Sequence, residues 1–104
     1  MQDQSLRQLG EAPVRPAGRT VLWSAVLTMD GRTVDCVIVN VSAVGATVSV
    51  RRPVVCSDSV QISCSRLGTL SAEPVWQNGT RIELRFREDS DAMALKLAEA
   101  ILFS

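Results

Sequence analysis

Two arginines and a small polar triplet are the residues of this chain best suited to chemistry. Arg15 and Arg19 form an R-x-x-x-R pair, and Asn40, Ser42 and Gly45 form an N-x-S-x-x-G pattern. A guanidinium offers a planar fork that pairs with phosphate or grips the O6 and N7 atoms of guanine. Asn and Ser add short hydrogen-bonding side chains, and Gly lets a main chain approach closely. These residue types can contact a base or a phosphate, and each motif taken alone is also ordinary linker or turn chemistry.

Catalytic and metal-binding chemistry has few candidates in this sequence. The chain has no His, no Ser or Cys beside an evident base, and no carboxylate pair on a common strand face. These gaps argue against an enzyme. Cys36, Cys56 and Cys64 are odd in number and form no C-x-x-C pair, which predicts reduced structural thiols, no metal site and no cofactor.

The charge balance excludes a general nucleic-acid binder. The charges of eleven basic and eleven acidic side chains cancel, so the chain lacks the overall electrostatic attraction to phosphates that DNA and RNA binders use. A cold-shock-like or OB-like barrel that binds single strands would need exposed aromatics and a positive groove. The sequence has two Trp, two Phe and no Tyr. We therefore expect no DNA or RNA partner, and any anion binding must be local.

Length and composition predict one globular domain. A chain of 104 residues, 46% hydrophobic and 21% charged, is long enough for one core. No apolar run of about 18 residues and no charged-then-apolar leader opens it. The sequence predicts neither membrane insertion nor secretion, so the expected compartment is the cytoplasm.

The first residues have a composition that favours a mobile arm. The segment from Met1 to Gly18 is rich in Gln, Pro and Gly and poor in large apolar side chains, so it buries little surface. We expect a flexible arm over residues 1–14, followed by a loop that carries Arg15 and Arg19. Taken alone, such an arginine pair is more often a solvated basic linker.

Alternating apolar and polar residues predict six strands at hairpin spacing. Asp30-Gly31 and Asn78-Gly79 are strong turn signals between them, and Pro74 indicates an edge or a bulge. The expected strands are Thr20 to Met29, Arg32 to Val41, Ala46 to Arg51, Ser59 to Arg66, Thr69 to Gln77 and Thr80 to Arg87. Simple alternation places Asn40 and Ser42 on one face at the end of the second strand, with Gly45 in the turn beyond.

After the sixth strand the period changes to that of a helix. Met93, Leu97 and Ile101 recur at helical spacing, and Ser90 or Asp89 can cap the N-terminus. The pattern predicts a mainly all-β fold, a six-stranded antiparallel β-barrel with a C-terminal α-helix over one opening. The single domain spans 15–104, with the barrel at about 20–87 and the helix at about 90–102.

Taken together and in order, the two motifs resemble the paired signature of the PilZ domain, whose members bind the bacterial second messenger cyclic di-GMP. The stretches AEPVW (Ala72 to Trp76) and RIELRF (Arg81 to Phe86) look like later strands of that family. The resemblance runs from about Arg15 to Phe86. Each motif alone is ordinary turn chemistry, whereas their order and their separation by one hairpin are more specific.

The resemblance implies a nucleotide-binding signalling protein that is not an enzyme. It assigns ligand binding to five residues: Arg15, Arg19, Asn40, Ser42 and Gly45. Arg15 and Arg19 would close over the barrel face, and ordering of the arm would signal to an unidentified protein effector. The alternative is a PilZ-like interaction adaptor that does not bind nucleotide.

Two positions depart from the family pattern. Val14 stands where many members carry a further basic or polar residue, and Glu83 stands where the family often has Gly. The first leaves open whether one or two ligand molecules bind, and the second implies an extra negative charge on the surface. Trp23 and Trp76 are expected to pack in the core or at a barrel end rather than to stack on bases.

Overall fold

The computed structural model describes residues 18–102, which fold into six β-strands and one α-helix. The strands are β1 (Arg19–Met29), β2 (Arg32–Val41), β3 (Gly45–Val50), β4 (Val60–Cys64), β5 (Gly68–Asn78) and β6 (Arg81–Phe86), and the helix is α1 (Ser90–Leu102). The expected all-β fold with a C-terminal helix is confirmed. The arm predicted over residues 1–14 lies outside the described residues.

The six strands close into an antiparallel barrel in the order β1-β2-β3-β6-β5-β4. Closure pairs β1 with β4 and β3 with β6, so every strand has two neighbours. Pro74 therefore lies at no sheet edge. A register shift between Pro74 and Trp76 accommodates the ring, which confirms the bulge and excludes the edge.

Two hairpin turns follow from local sequence. Asp30 and Gly31 have φ of 50° and 77°, the two positive values of a type I′ turn. The second turn differs, since Asn78 pairs with Arg81 and Gly79, with φ of 62°, opens the two-residue loop. This arrangement matches a type II′ turn, in which only the first central residue needs positive φ.

Alternation along each strand builds the core. The inward positions of β6 are Ile82, Leu84 and Phe86, as the sequence predicts, and all three are buried. The most deeply buried side chains of the other elements include Leu27, Ile38, Val48, Ile62, Leu70 and Met93. These residues form one hydrophobic cluster inside the barrel and beneath α1.

A β-bulge in β2 decides which side chains reach the outer face. Ile38 pairs with Val48, but Asn40 pairs with Thr47, so β2 carries one extra residue there. Strict alternation would turn Asn40 inward with Ile38. The bulge instead sends Asn40 outward and leaves Val41 fully buried. The prediction that Asn40 and Ser42 share one face did not take this bulge into account.

Helix α1 covers one end of the barrel. The Asp89 carboxylate accepts hydrogen bonds from the main-chain N–H groups of Asp91 and Ala92, both at 3.1 Å, which confirms it as the cap. Met93 and Ala100 are buried against the barrel. Within residues 18–102, no helix has the length and apolar character needed to cross a membrane.

Candidate functional site

The start of β1 brings Arg19 beside the N-x-S-x-x-G segment. The Cα of Arg19 pairs with that of Val41, and Thr20 pairs with Asn40. Arg19 thus lies on the strand next to the one that ends with Asn40 and Val41. Arg15, the other predicted arginine, lies outside the described residues. The pairing of β1 with β2 brings together one arginine and the triplet, which are more than 20 residues apart in sequence.

Gly18 makes the closest approach to the predicted triplet. A Cβ at this position would lie 2.2 Å from the Asn40 Oδ1 atom and 2.9 Å from the Val41 carbonyl oxygen. No side chain fits there while Asn40 keeps its position. The sequence indicates only that Gly18 disfavours a helix. Its packing role could not be predicted, because it depends on the register between β1 and β2.

Ser42 is built into the turn that joins β2 to β3. Its main-chain N–H donates to the Gly45 carbonyl at 2.8 Å, and its Oγ accepts from the Val44 N–H at 3.2 Å. The Ser42 Oγ also donates to the Gly45 carbonyl oxygen at 3.5 Å, and the residue is only 4% exposed. The hydroxyl therefore stabilises the turn in this state.

Gly45 is the first residue of β3, not a turn residue as the sequence predicts. A Cβ here would lie 2.1 Å from the Leu84 carbonyl oxygen on β6. Main-chain atoms cannot move aside as a flexible side chain can. Gly45 is therefore needed for the close approach of β3 and β6, and its predicted ligand contact stays a prediction.

A cleft of about 360 Å³ separates this segment from α1. Arg19 and Ser42 line one side, and Ala94, Leu97 and Ala98 of the helix line the other. The volume lies at the lower end of the range for small-molecule sites. The Arg19 guanidinium and the apolar side chains of α1 would suit a ligand that carries both an anionic group and a planar ring.

A polar row crosses the outer face of the barrel next to Asn40. Strand register aligns Asn40 with Thr47, Thr47 with Glu83, and Glu83 with Trp76. Thr47 Oγ1 donates to the Glu83 Oε1 atom at 2.8 Å. Glu83 is 4% exposed and Thr47 is 8% exposed, although both belong to the outward parity of their strands. The sequence predicts their direction but not their burial.

An exposed ion pair flanks this row. Arg85, paired with Gly45, donates from Nε and Nη2 to the Glu73 Oε2 atom at 3.0 and 2.7 Å. Arg87 Nη2 lies 3.7 Å from Glu73 Oε1. These contacts, chiefly the hydrogen bonds from Arg85, lower the pKa of the Glu73 carboxyl. Glu73 therefore stays charged and holds Arg85 beside the N-x-S-x-x-G turn.

A larger cleft, of about 880 Å³, lies away from the predicted site. Its lining includes Cys36 and Cys64. Burial, with smaller contributions from Asp35 and Cys64, raises the pKa of the Cys36 thiol to about 11. Such a thiol is protonated at neutral pH and is a poor nucleophile.

In the described part of the chain, no group of three His, Cys, Asp or Glu side chains could hold a metal.

No protein-family model matches this sequence, and no curated protein matches it significantly.

Proposed function

We propose that this chain is a non-enzymatic receptor for cyclic di-GMP that acts in the cytoplasm and signals to a protein partner. The proposal rests on the resemblance to the PilZ family. The observation that carries it furthest is the pairing of Arg19 with Val41, between Asn40 and Ser42 of the second motif. One arginine of the first motif thus lies beside the second motif, which supports the proposal that they share a ligand.

The ligand's chemistry fits these side chains. Cyclic di-GMP has two guanines and two phosphates, and a guanidinium can grip guanine O6 and N7 or pair with phosphate. Arg19 is exposed and lines the cleft, so its guanidinium is accessible for either role. Asn40 adds an amide that can bond to a base edge. Ser42 stabilises the turn that leads to this surface, and Gly45 allows β3 to pack closely on β6.

In this proposal Arg15 acts from the segment that precedes β1. Arg15 and Arg19 close over the face that carries Asn40, and the ligand joins the segment to the barrel. Ordering of a loop by charge-assisted contacts is a common switching device. The rearranged loop then becomes the surface that the effector protein recognises.

Two observations favour the second candidate, an interaction adaptor that does not bind nucleotide. The Ser42 hydroxyl already has partners within its turn. Glu83 also places a carboxylate two strands from Asn40, where it would repel a phosphate. In this alternative the barrel or α1 contacts a protein directly, and the arginines serve that contact.

Isothermal titration calorimetry with cyclic di-GMP separates the two candidates. GTP and cyclic di-AMP serve as controls for charge and for purine identity. The receptor proposal expects saturable binding of cyclic di-GMP and weaker binding of both controls. Absence of heat and of any thermal-shift response with cyclic di-GMP would favour the adaptor.

A further inference from the structure

Helix α1 carries more apolar surface than the barrel covers. Met93 and Ala100 are buried, and Leu97 packs partly buried against the core. On the rest of the helix, Leu95 is 65% exposed and Leu102 is 75% exposed. Single exposed leucines are ordinary on a protein surface, whereas several that adjoin each other mark an interaction surface.

The exposed apolar residues of α1 do adjoin each other. At about 100° per residue, Ala94, Ala98 and Leu102 follow one another at intervals of four, and Leu95 lies beside Leu102. Ala94 and Ala98 are exposed as well. We call these four residues the apolar stripe. Its mean direction lies about 155° around the helix from the buried Met93, so the stripe faces mostly away from the barrel.

The charges beside the stripe make it complementary to a second copy of itself. Lys96 and Glu99 are both exposed, and they lie three residues apart on the flank next to Leu95. When two such helices pack antiparallel about a twofold axis, each flank meets the same flank of the other copy. An axis near Ala98 brings Lys96 of one copy to the level of Glu99 of the other. Opposite charges at such flanking positions set the orientation of paired helices.

Other surfaces fit the stripe or the barrel less well. Helices that lie on membranes carry several Lys or Arg residues on their polar face, whereas Lys96 is the only basic residue of α1. Pairing of two copies through a sheet edge is also unavailable among residues 18–102, because the six strands close and leave no edge. The helix is therefore the face of the described structure best suited to a second copy.

We propose that two copies of this chain associate through the apolar stripe, with antiparallel helices and with Lys96 of each copy paired with Glu99 of the other. This inference does not rest on the receptor proposal, because it uses only the surface of α1. The stripe runs from Ala94 to Leu102, about 12 Å of helix. That length is short for a standard interface of about 800 Å² per partner, so the dimer is weak and depends on protein concentration.

Sedimentation velocity of the full chain between about 10 µM and about 1 mM tests this proposal. We expect wild type to shift from monomer toward dimer across this range. The double variant Leu95→Gln, Leu102→Gln removes the largest apolar contacts and should stay monomeric. Both side chains are exposed in the single chain, so the circular dichroism spectrum should not change. Val55→Gln is the matched control, since Val55 is 84% exposed in the loop between β3 and β4, and it should dimerise like wild type.

Charge reversal tests the antiparallel arrangement itself. Lys96→Glu alone and Glu99→Lys alone each place like charges opposite one another, and each should weaken dimerisation about 2- to 10-fold. The double variant Lys96→Glu, Glu99→Lys restores the opposite charges and should return dimerisation to the wild-type level.

Three results would overturn the proposal. A wild-type protein that stays monomeric at about 1 mM would leave the stripe to another segment of the chain or to a different protein. A dimer that persists in the Leu95→Gln, Leu102→Gln variant would have its interface elsewhere. Dimerisation that responds to the leucine changes but to neither charge reversal would refute the antiparallel pairing of Lys96 with Glu99.

Discussion

Gly18 packs against Asn40 so closely that a Cβ on Gly18 would lie 2.2 Å from the Asn40 Oδ1 atom. Gly18, which directly precedes β1, therefore restricts where the Asn40 amide can lie. One residue before β1 thus helps to orient the only amide in the predicted motif. This relationship can first be tested at Gly18, which is not itself a proposed ligand contact.

We expect Gly18→Ala to displace the Asn40 side chain and weaken cyclic di-GMP binding roughly tenfold, the effect of losing about one hydrogen bond. The added methyl also strains the local packing, because the Val41 carbonyl oxygen would lie 2.9 Å away. Calorimetry and urea unfolding measure the two effects separately.

A double-mutant cycle with Asn40→Ala supplies the control. If Gly18→Ala acts through Asn40, its effects should shrink when Asn40 is already truncated, because the closest contact is gone. Additive effects of the two substitutions, on both binding and stability, would count against this coupling.

A second prediction concerns Gly45, for which the structure shows a packing role that the sequence did not predict. Gly45→Ala should reduce the free energy of unfolding by about 1–3 kcal/mol, the usual effect of overpacking, because the Leu84 carbonyl oxygen lies 2.1 Å from the new Cβ. Urea unfolding at neutral pH measures the change. Ser49→Ala, a half-buried position on the same strand, is the control and should change stability by less than about 0.5 kcal/mol. Equal midpoints for Gly45→Ala and wild type would contradict this packing role.

The strands, the first hairpin turn and the helix could be predicted from sequence because their signals are local. Asp30-Gly31 sets its own positive φ angles, and the alternation around Ile82 and Leu84 repeats every two residues. The helix bounds predicted from Met93 and its capping residue agree with α1. Barrel closure could also be predicted in outline, because six strands without a protected edge favour it.

The fine structure of the candidate site could not be predicted, because it depends on contacts between distant residues. The bulge that turns Asn40 outward appears only in the register of β2 against β3. Gly45 has an extended backbone, and its need for Gly comes from Leu84, 39 positions later in the chain. Glu83 matches the pattern of a solvent-facing residue, and nothing local signals its burial.

A third prediction addresses the ligand contact of Arg19. Arg19→Ala should weaken cyclic di-GMP binding by about 1–3 kcal/mol, or roughly 5- to 150-fold, through loss of one bidentate contact. Rising salt should weaken binding by wild type more than by the variant, because the variant has fewer charge contacts to screen. Stability should hardly change, since Arg19 is exposed.

The control for Arg19 must be an arginine without a packing role. Arg66 is unsuitable, because its guanidinium lies 5.3 Å from the centre of the Trp23 ring and lines a cleft beside α1. Arg32 is exposed and begins β2 at the opposite end of the barrel. If Arg19→Ala and Arg32→Ala both bind like wild type, Arg19 is not part of the binding site.

The final prediction concerns the stability of the protein at alkaline pH, where the Cys36 thiol ionises. The Cys36 thiol has its pKa raised to about 11, first by burial and then by Asp35 and Cys64. A raised pKa means that the folded state disfavours the thiolate more than the unfolded state does. The stabilising contribution is therefore full below the ordinary thiol pKa and is lost as pH rises toward about 11.

This loss should be measurable because few other groups titrate in the same range. The chain has no Tyr and only one Lys. Urea unfolding of wild type between about pH 8 and pH 11 should show decreasing stability, and the decrease should be shallower in Cys36→Ala. Cys36→Ala will be less stable at every pH because it leaves a small cavity, so the slope is the quantity to compare. Parallel pH profiles of the two proteins would show that Cys36 ionisation does not limit alkaline stability.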